Sequence, residues 1–116
     1  MIYSIEISEI SLQELDETVE YISETLQNET AAENLYNEFY KKAHSLITNP
    51  MRYALVRNKY LASKGIRLMT VNNYNLFYVV REDVNIVRII RFMHSRRNWV
   101  NLLKESEETI TTEVLI

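Results

Sequence analysis

The apolar positions change their period once along the chain, near Pro50, and that change divides it into two kinds of structure. Tyr3, Ile5 and Ile7 alternate with Ser4 and Glu6, a period of two that predicts a short strand with one buried face. Leu12, Leu15, Val19, Ile22 and Leu26 then recur at spacings of three and four, behind a Ser11/Glu14 capping-box pattern, and predict a helix over 11–28. Thr30 and Glu33 repeat the capping signal, and Leu35, Phe39, Ala43, Leu46 and Ile47 carry a second apolar stripe until Pro50 stops it. The two helices are expected to form a hairpin. Glu17, Glu20 and Glu24 lie opposite the first stripe and read as a solvated face rather than a metal-carboxylate site.

Beyond Pro50 the residues 66–71, 74–80 and 84–93 are dense in Val, Ile, Tyr and Phe and predict three strands. Asn72-Asn73 and Glu82-Asp83 fit the two turns between them, so the expected connection is an antiparallel meander. The last strand is apolar on both faces, with Ile86 and Ile90 on one and Val87 and Ile89 on the other, which marks an interior strand. Trp99, Val100, Leu102 and Leu103 predict a short closing helix. The expected fold is α+β: an N-terminal strand and a helical hairpin packed on a twisted, mostly antiparallel four-stranded sheet, with a short C-terminal helix. Two layers are expected, with the second sheet face left open. A single domain is expected over 1–104, followed by an acidic tail over 105–116 for which mobility is an expectation.

Composition narrows the function. A chain of 116 residues that is 47% hydrophobic has enough apolar material for one core. With no cysteine and two histidines, a disulfide framework and a thiolate zinc site are both out of reach, and neither metal nor cofactor is expected. One glycine and one proline leave no glycine-rich phosphate loop. No apolar run approaches the roughly 18 residues of a membrane span, and no basic stretch leads into an apolar one at the N-terminus, so a soluble cytoplasmic protein is expected. The net charge of −3 conceals a strong polarity: residues 1–50 carry −8, residues 51–104 carry +9 and the remainder −4. Either the basic half meets an anionic partner, nucleic acid or an acidic protein segment, or the two halves neutralise each other within the fold.

Three segments in the β-rich half carry a family resemblance. Gly65-Ile66-Arg67-Leu68-Met69 is similar to a glycine-x-arginine strand opening, Asn73-Tyr74-Asn75-Leu76-Phe77-Tyr78 to an Asn-Tyr-x-Ile-Phe-Tyr strand, and Arg91-Phe92-Met93-His94-Ser95-Arg96-Arg97-Asn98 to an Arg-Ile-Leu-His-Gly-Arg-Arg-Asp ending. Together they resemble the RelE/ParE toxins of type II toxin-antitoxin systems, with Ser95 and Asn98 departing from the usual glycine and aspartate. The resemblance implies the same order of strand, hairpin and sheet, and a cognate antitoxin whose C-terminal segment wraps the toxin by charge pairing and strand addition.

Members of this superfamily act in two ways. A RelE-like endonuclease cuts messenger RNA on the ribosome, which requires a base, an acid and cations around one phosphate; His94, Arg67 and Arg96, with Arg97, are the candidate set. A ParE-like toxin binds DNA gyrase and needs an interface only. Two features favour the second: Asn75 stands where RelE-like nucleases carry a phosphate-binding arginine, and the pI of 5.4 is acidic. Binding of target or antitoxin is expected from Arg67, Arg88, Arg91, His94, Arg96 and Arg97. Arg88 and Arg91, inside a strand, either pair with the acidic helices or face the partner; His94 is alternatively a strand-end histidine bonded to backbone. Arg96 and Arg97 sit in a corner that exposes them. Tyr74, Phe77 and Tyr78 read as core rather than as a base-stacking platform. A passive nucleic-acid-binding module has no helix-turn-helix or zinc pattern to support it.

Overall fold

The structure is a computed structural model that describes residues 2–105. β1 (Ser4–Ile7) leads into α1 (Glu9–Glu20), which passes into a π-helical turn (Tyr21–Thr25) and then α2 (Glu29–Ser45). A 3-10 turn (Pro50–Arg52) and a short α3 (Lys59–Ser63) precede β2 (Arg67–Val71), β3 (Tyr74–Arg81), β4 (Ile86–His94) and α4 (Trp99–Glu105). Of the tail expected over 105–116, all but Glu105, which ends α4, lies outside the described residues.

The helices begin earlier than the capping pattern predicts. Ser8 caps α1, its side chain accepting from the Ser11 amide, and Asn28 caps α2 by accepting from Ala31. Both are good N-cap residues that precede the apolar stripe by a full turn. Left-handed residues end the elements: Gln27 and Asn49 follow the two long helices, Asn72 turns β2 into β3, and Asn85 closes the loop into β4. The chain has one glycine, so glutamine and asparagine take these positions, and asparagine tolerates them best.

The sheet order is β1-β4-β3-β2, with β2–β3–β4 an antiparallel meander and β1 parallel to β4. β4 is therefore interior, as its two apolar faces require. On one side α1 and α2 bury Leu15, Leu35, Phe39 and Leu46 against Met69, Leu76, Tyr78, Val87, Ile89 and Phe92. The opposite side is covered too: Val56, Leu61, Ile66, Phe77, Val79, Ile90, Met93 and Leu103 form a second cluster beneath α3 and α4. The expected open sheet face does not exist, and the molecule has three layers. The reason lies in β3 and β4, whose apolar residues on both faces must each be removed from water.

Register shifts once. Phe77 pairs with Arg91 but Tyr78 with Ile89, so Ile90 is an extra residue in β4. This bulge resets the alternation: Val87 and Ile89 face the hairpin before it, Phe92 after it, while Ile90 and Met93 face the other cluster. His94, two residues beyond Phe92, consequently falls on the hairpin side.

Tyr78 is fully buried and its hydroxyl donates to the Pro50 carbonyl at 2.6 Å, tying the loop after α2 to the sheet. Burial pushes this phenol up to about 12, against a smaller opposing pull from Arg67 and Arg52. An unfolded chain ionises it near 10, so between about 10 and 12 the unfolded state holds fewer protons than the native one and stability falls as pH rises, by about 1.4 kcal/mol per pH unit. Tyr40 and Tyr74 shift in the same direction by burial and add to the slope. Urea unfolding across this window is expected to show the loss, and Tyr78→Phe to flatten it; an unchanged slope in that variant contradicts the assignment.

Candidate functional site

β1 ends at Ile7, opposite Ile89, and leaves the rest of the β4 edge without a partner strand. The start of α1 takes over that edge. The Ser8 amide donates to the Ile89 carbonyl at 2.9 Å, the Ser8 hydroxyl to the Ile90 carbonyl at 3.0 Å, and the Glu14 carboxylate accepts the Phe92 amide at 3.0 Å. Glu14 also takes the Arg91 guanidinium through two bonds, Nε at 3.0 Å and Nη2 at 2.9 Å. Both side chains are nearly sealed, 7% exposed for Arg91 and 11% for Glu14. A guanidinium inside an apolar strand needs such a bidentate carboxylate, since unpaired burial is prohibitive.

The six candidate residues separate into two groups. Arg91 is held by Glu14, and Arg88 reaches Glu6 of β1 at 3.2 Å. Arg67 donates to the Met51 and Tyr53 carbonyls, at 3.2 and 2.7 Å, and anchors the loop after α2. Each meets a partner within the fold. The other three stand together at the end of β4. His94 is its last residue, the Ser95 amide donates to the Asn73 carbonyl at 2.9 Å, and the Arg97 amide returns to the His94 carbonyl at 3.0 Å. This tight turn holds Arg96 and Arg97 exposed, and no ion pair engages either among the described residues.

His94 has a defined orientation. Its ring meets Tyr74 edge-on at 5.2 Å, and its Nδ1 accepts the Arg96 amide at 3.1 Å. With Nδ1 accepting, the neutral ring carries its proton on Nε2, which is then a donor. Arg67 is remote from it. Arg67 pairs with Tyr78 on β3 and His94 with Tyr74, four residues along and two strands across, a Cα separation of roughly 16 Å from strand spacing. Asn75 is buried, and alternation with Phe77 and Val79 turns it toward the α3–α4 layer, away from His94.

A cleft of about 290 Å³ opens between α1 and the end of β4. Tyr74 forms its apolar part, stacked on the buried Phe92 at 5.3 Å. Thr18, Glu17 and Tyr21 line the helix side, His94 and Arg97 the strand side. Desolvation raises the Tyr74 phenol, with a further push from the nearby Tyr21 hydroxyl. Among the described residues no group of three or more His, Asp or Glu is placed to hold a metal, and no helix is long and apolar enough to cross a membrane. Sequence reasoning missed the helix wall of this cleft. Its one available signal was Tyr21, an aromatic set beside the apolar stripe instead of within it.

The same strand, helical hairpin and antiparallel sheet occur in known toxins. The chain is similar in structure to the chromosomal ParDE toxin-antitoxin system from P. aeruginosa, with a TM-score of 0.65 and 14% identity over 80% of this chain and 96% of that one. It is also similar to a substituted form of the E. coli toxin RelE in the free state (TM-score 0.59, 16% identity, 87% and 92% covered) and to the intact E. coli RelBE toxin-antitoxin complex (0.55, 17%, 82% and 99%). No curated protein sequence is significantly similar to it. The fold is that of the RelE/ParE toxin superfamily. Within it, residues 5–99 match the model of the ParE toxin of the parDE type II toxin-antitoxin system, and the chain belongs to that family.

Proposed function

We propose that this protein is a ParE-like toxin that arrests growth in the cytoplasm by binding DNA gyrase, and that a cognate antitoxin neutralises it. The observation that carries the reading is the separation of Arg67 from the other residues an RNA-cleaving site would need. Transesterification by a 2′-hydroxyl requires base, acid and cationic donors converging within hydrogen-bond reach of one phosphate. Here Arg67 anchors a loop roughly 16 Å from His94 by strand spacing, and the His94 Nδ1 already accepts the Arg96 amide. What gathers instead is an exposed pair of arginines beside an aromatic cleft, a surface suited to binding a large partner. Membership of the ParE toxin family supports the same reading. Antitoxin binding is supported by the ParDE and RelBE systems whose folds this chain shares.

Programmed ribosomes test it. Primer extension on messenger RNA incubated with ribosomes and the purified protein is expected to show no new ends, and discrete new ends overturn the reading. His94→Ala separates the mechanisms further. An acid-base histidine contributes about 10²–10⁴-fold, whereas its loss from a binding surface is expected to weaken growth arrest by less than about tenfold.

A further inference from the structure

Glu17 and Tyr21 line two hollows at once. One is the aromatic cleft already described; the other, also about 290 Å³, lies along the π-helical turn and is bounded by Glu17, Glu20, Tyr21, Glu24 and Thr25. Tyr21 forms the ridge between them and is 54% exposed. Each hollow falls at or below the lower end of the roughly 300–1,000 Å³ range of small-molecule pockets, which suits single side chains of a polypeptide rather than a cofactor. Tyr21 opens the π turn in which the first helix ends, an arrangement frequent at functional sites.

Charge specifies the occupant. The first hollow offers the partly buried Tyr74 ring, stacked on the buried Phe92, to an apolar side chain. The second offers three carboxylates and the Tyr21 ring, the pairing that holds a lysine or arginine by charge and by cation–π attraction. Glu14, on the border, is neutralised by Arg91, so the uncompensated acid is Glu17, Glu20 and Glu24. Arg97 closes the strand side of the first hollow and repels a cation there, which orients the segment with its basic residue toward the helix. Phosphate-bearing polymers meet a wall of like charge, since residues 1–50 carry −8.

We infer that the two hollows either side of Tyr21 form one docking groove for a segment of a partner protein that places an apolar side chain against Tyr74 and a neighbouring lysine or arginine among Glu17, Glu20 and Glu24. This goes beyond the gyrase reading and gives the acidic hairpin as the surface offered to a partner segment.

The test uses the full chain, labelled with ¹⁵N, and a short synthetic peptide with one leucine flanked by lysines in a glycine-serine background. Titration is expected to move the amides of Thr18, Tyr21, Glu24 and Tyr74. Replacing the peptide's lysines by glutamate, or its leucine by serine, is expected to abolish the shifts. Tyr21→Ala and Glu17→Lys, both at exposed positions, are expected to weaken binding by at least about tenfold, and Glu33→Lys, an exposed acid lining neither hollow, to leave it unchanged. Shifts confined to other surfaces, undiminished binding to Glu17→Lys, preferential binding of the glutamate peptide or of a single-stranded RNA oligonucleotide, or self-association that Glu17→Lys abolishes would each overturn the inference. Any of these outcomes in a protein that still inhibits gyrase removes the groove and leaves the target reading standing.

Discussion

Glu14→Ala is expected to lower the unfolding free energy by about 3–5 kcal/mol, the cost of leaving a buried charge without its partner. Three groups lose their acceptor at once: the Arg91 Nε, the Arg91 Nη2 and the Phe92 amide. Against a domain stability of about 5–15 kcal/mol this is a large share, and the loss falls at the edge where α1 substitutes for a strand. Glu14→Gln keeps an acceptor for one of them but removes the charge, so an intermediate loss is expected. The double variant Glu14→Leu with Arg91→Met, which removes both charges together, is expected to recover most of the stability, since apolar replacement of a buried pair is often neutral. Chemical denaturation of the four proteins measures this. If Glu14→Ala unfolds within about 1 kcal/mol of the parent, the pair is not the keystone of this edge.

Reversing both exposed arginines, Arg96→Glu with Arg97→Glu, is expected to raise the concentration needed for half-inhibition of gyrase by at least about 30-fold, equivalent to about 2 kcal/mol of interface free energy. The turn that carries them is held by backbone bonds to His94 and Asn73, so the exchange is expected to change unfolding by less than about 0.5 kcal/mol. A matched Arg67→Ala serves as comparison. It removes a loop anchor and is expected to cost stability while leaving potency per folded molecule intact. Potency that survives the double reversal removes the corner from the target interface.

Local periodicity carried most of the fold. The stripes of Leu15, Ile22, Leu35 and Phe39 and the strands through Met69, Leu76 and Val87 are contiguous patterns, and each occupies the face its period demands. What stayed hidden depends on contacts between segments. α3 is five residues long, too short for a stripe to repeat, although Asn58 does supply its cap. Its packing with α4 over Phe77 and Ile90 is why the second sheet face is closed, and the apolar character of both faces of β4 already pointed there. The bulge at Ile90 leaves only two adjacent isoleucines as a trace, yet it decides that Phe92 faces the hairpin.

The site was legible to the same degree. Ser95-Arg96-Arg97 was readable as an exposed corner because turns need no distant partner. The fates of Arg67, Arg88 and Arg91 were not, since their partners Met51, Glu6 and Glu14 come from elsewhere in the chain and only the assembled edges bring them together. Segment charge alone did not separate the two readings it allowed, an anionic partner or neutralisation within the fold. A total of +9 over residues 51–104 says nothing of how much is matched by carboxylates and carbonyls inside the fold.

Supercoiling of relaxed plasmid by purified gyrase, with the full chain added in increasing amounts, addresses the central claim. Loss of supercoiling as the protein approaches the enzyme concentration, weakened by less than about tenfold when His94 is replaced by alanine, is the predicted result. Undisturbed supercoiling at a large molar excess of folded protein would contradict it.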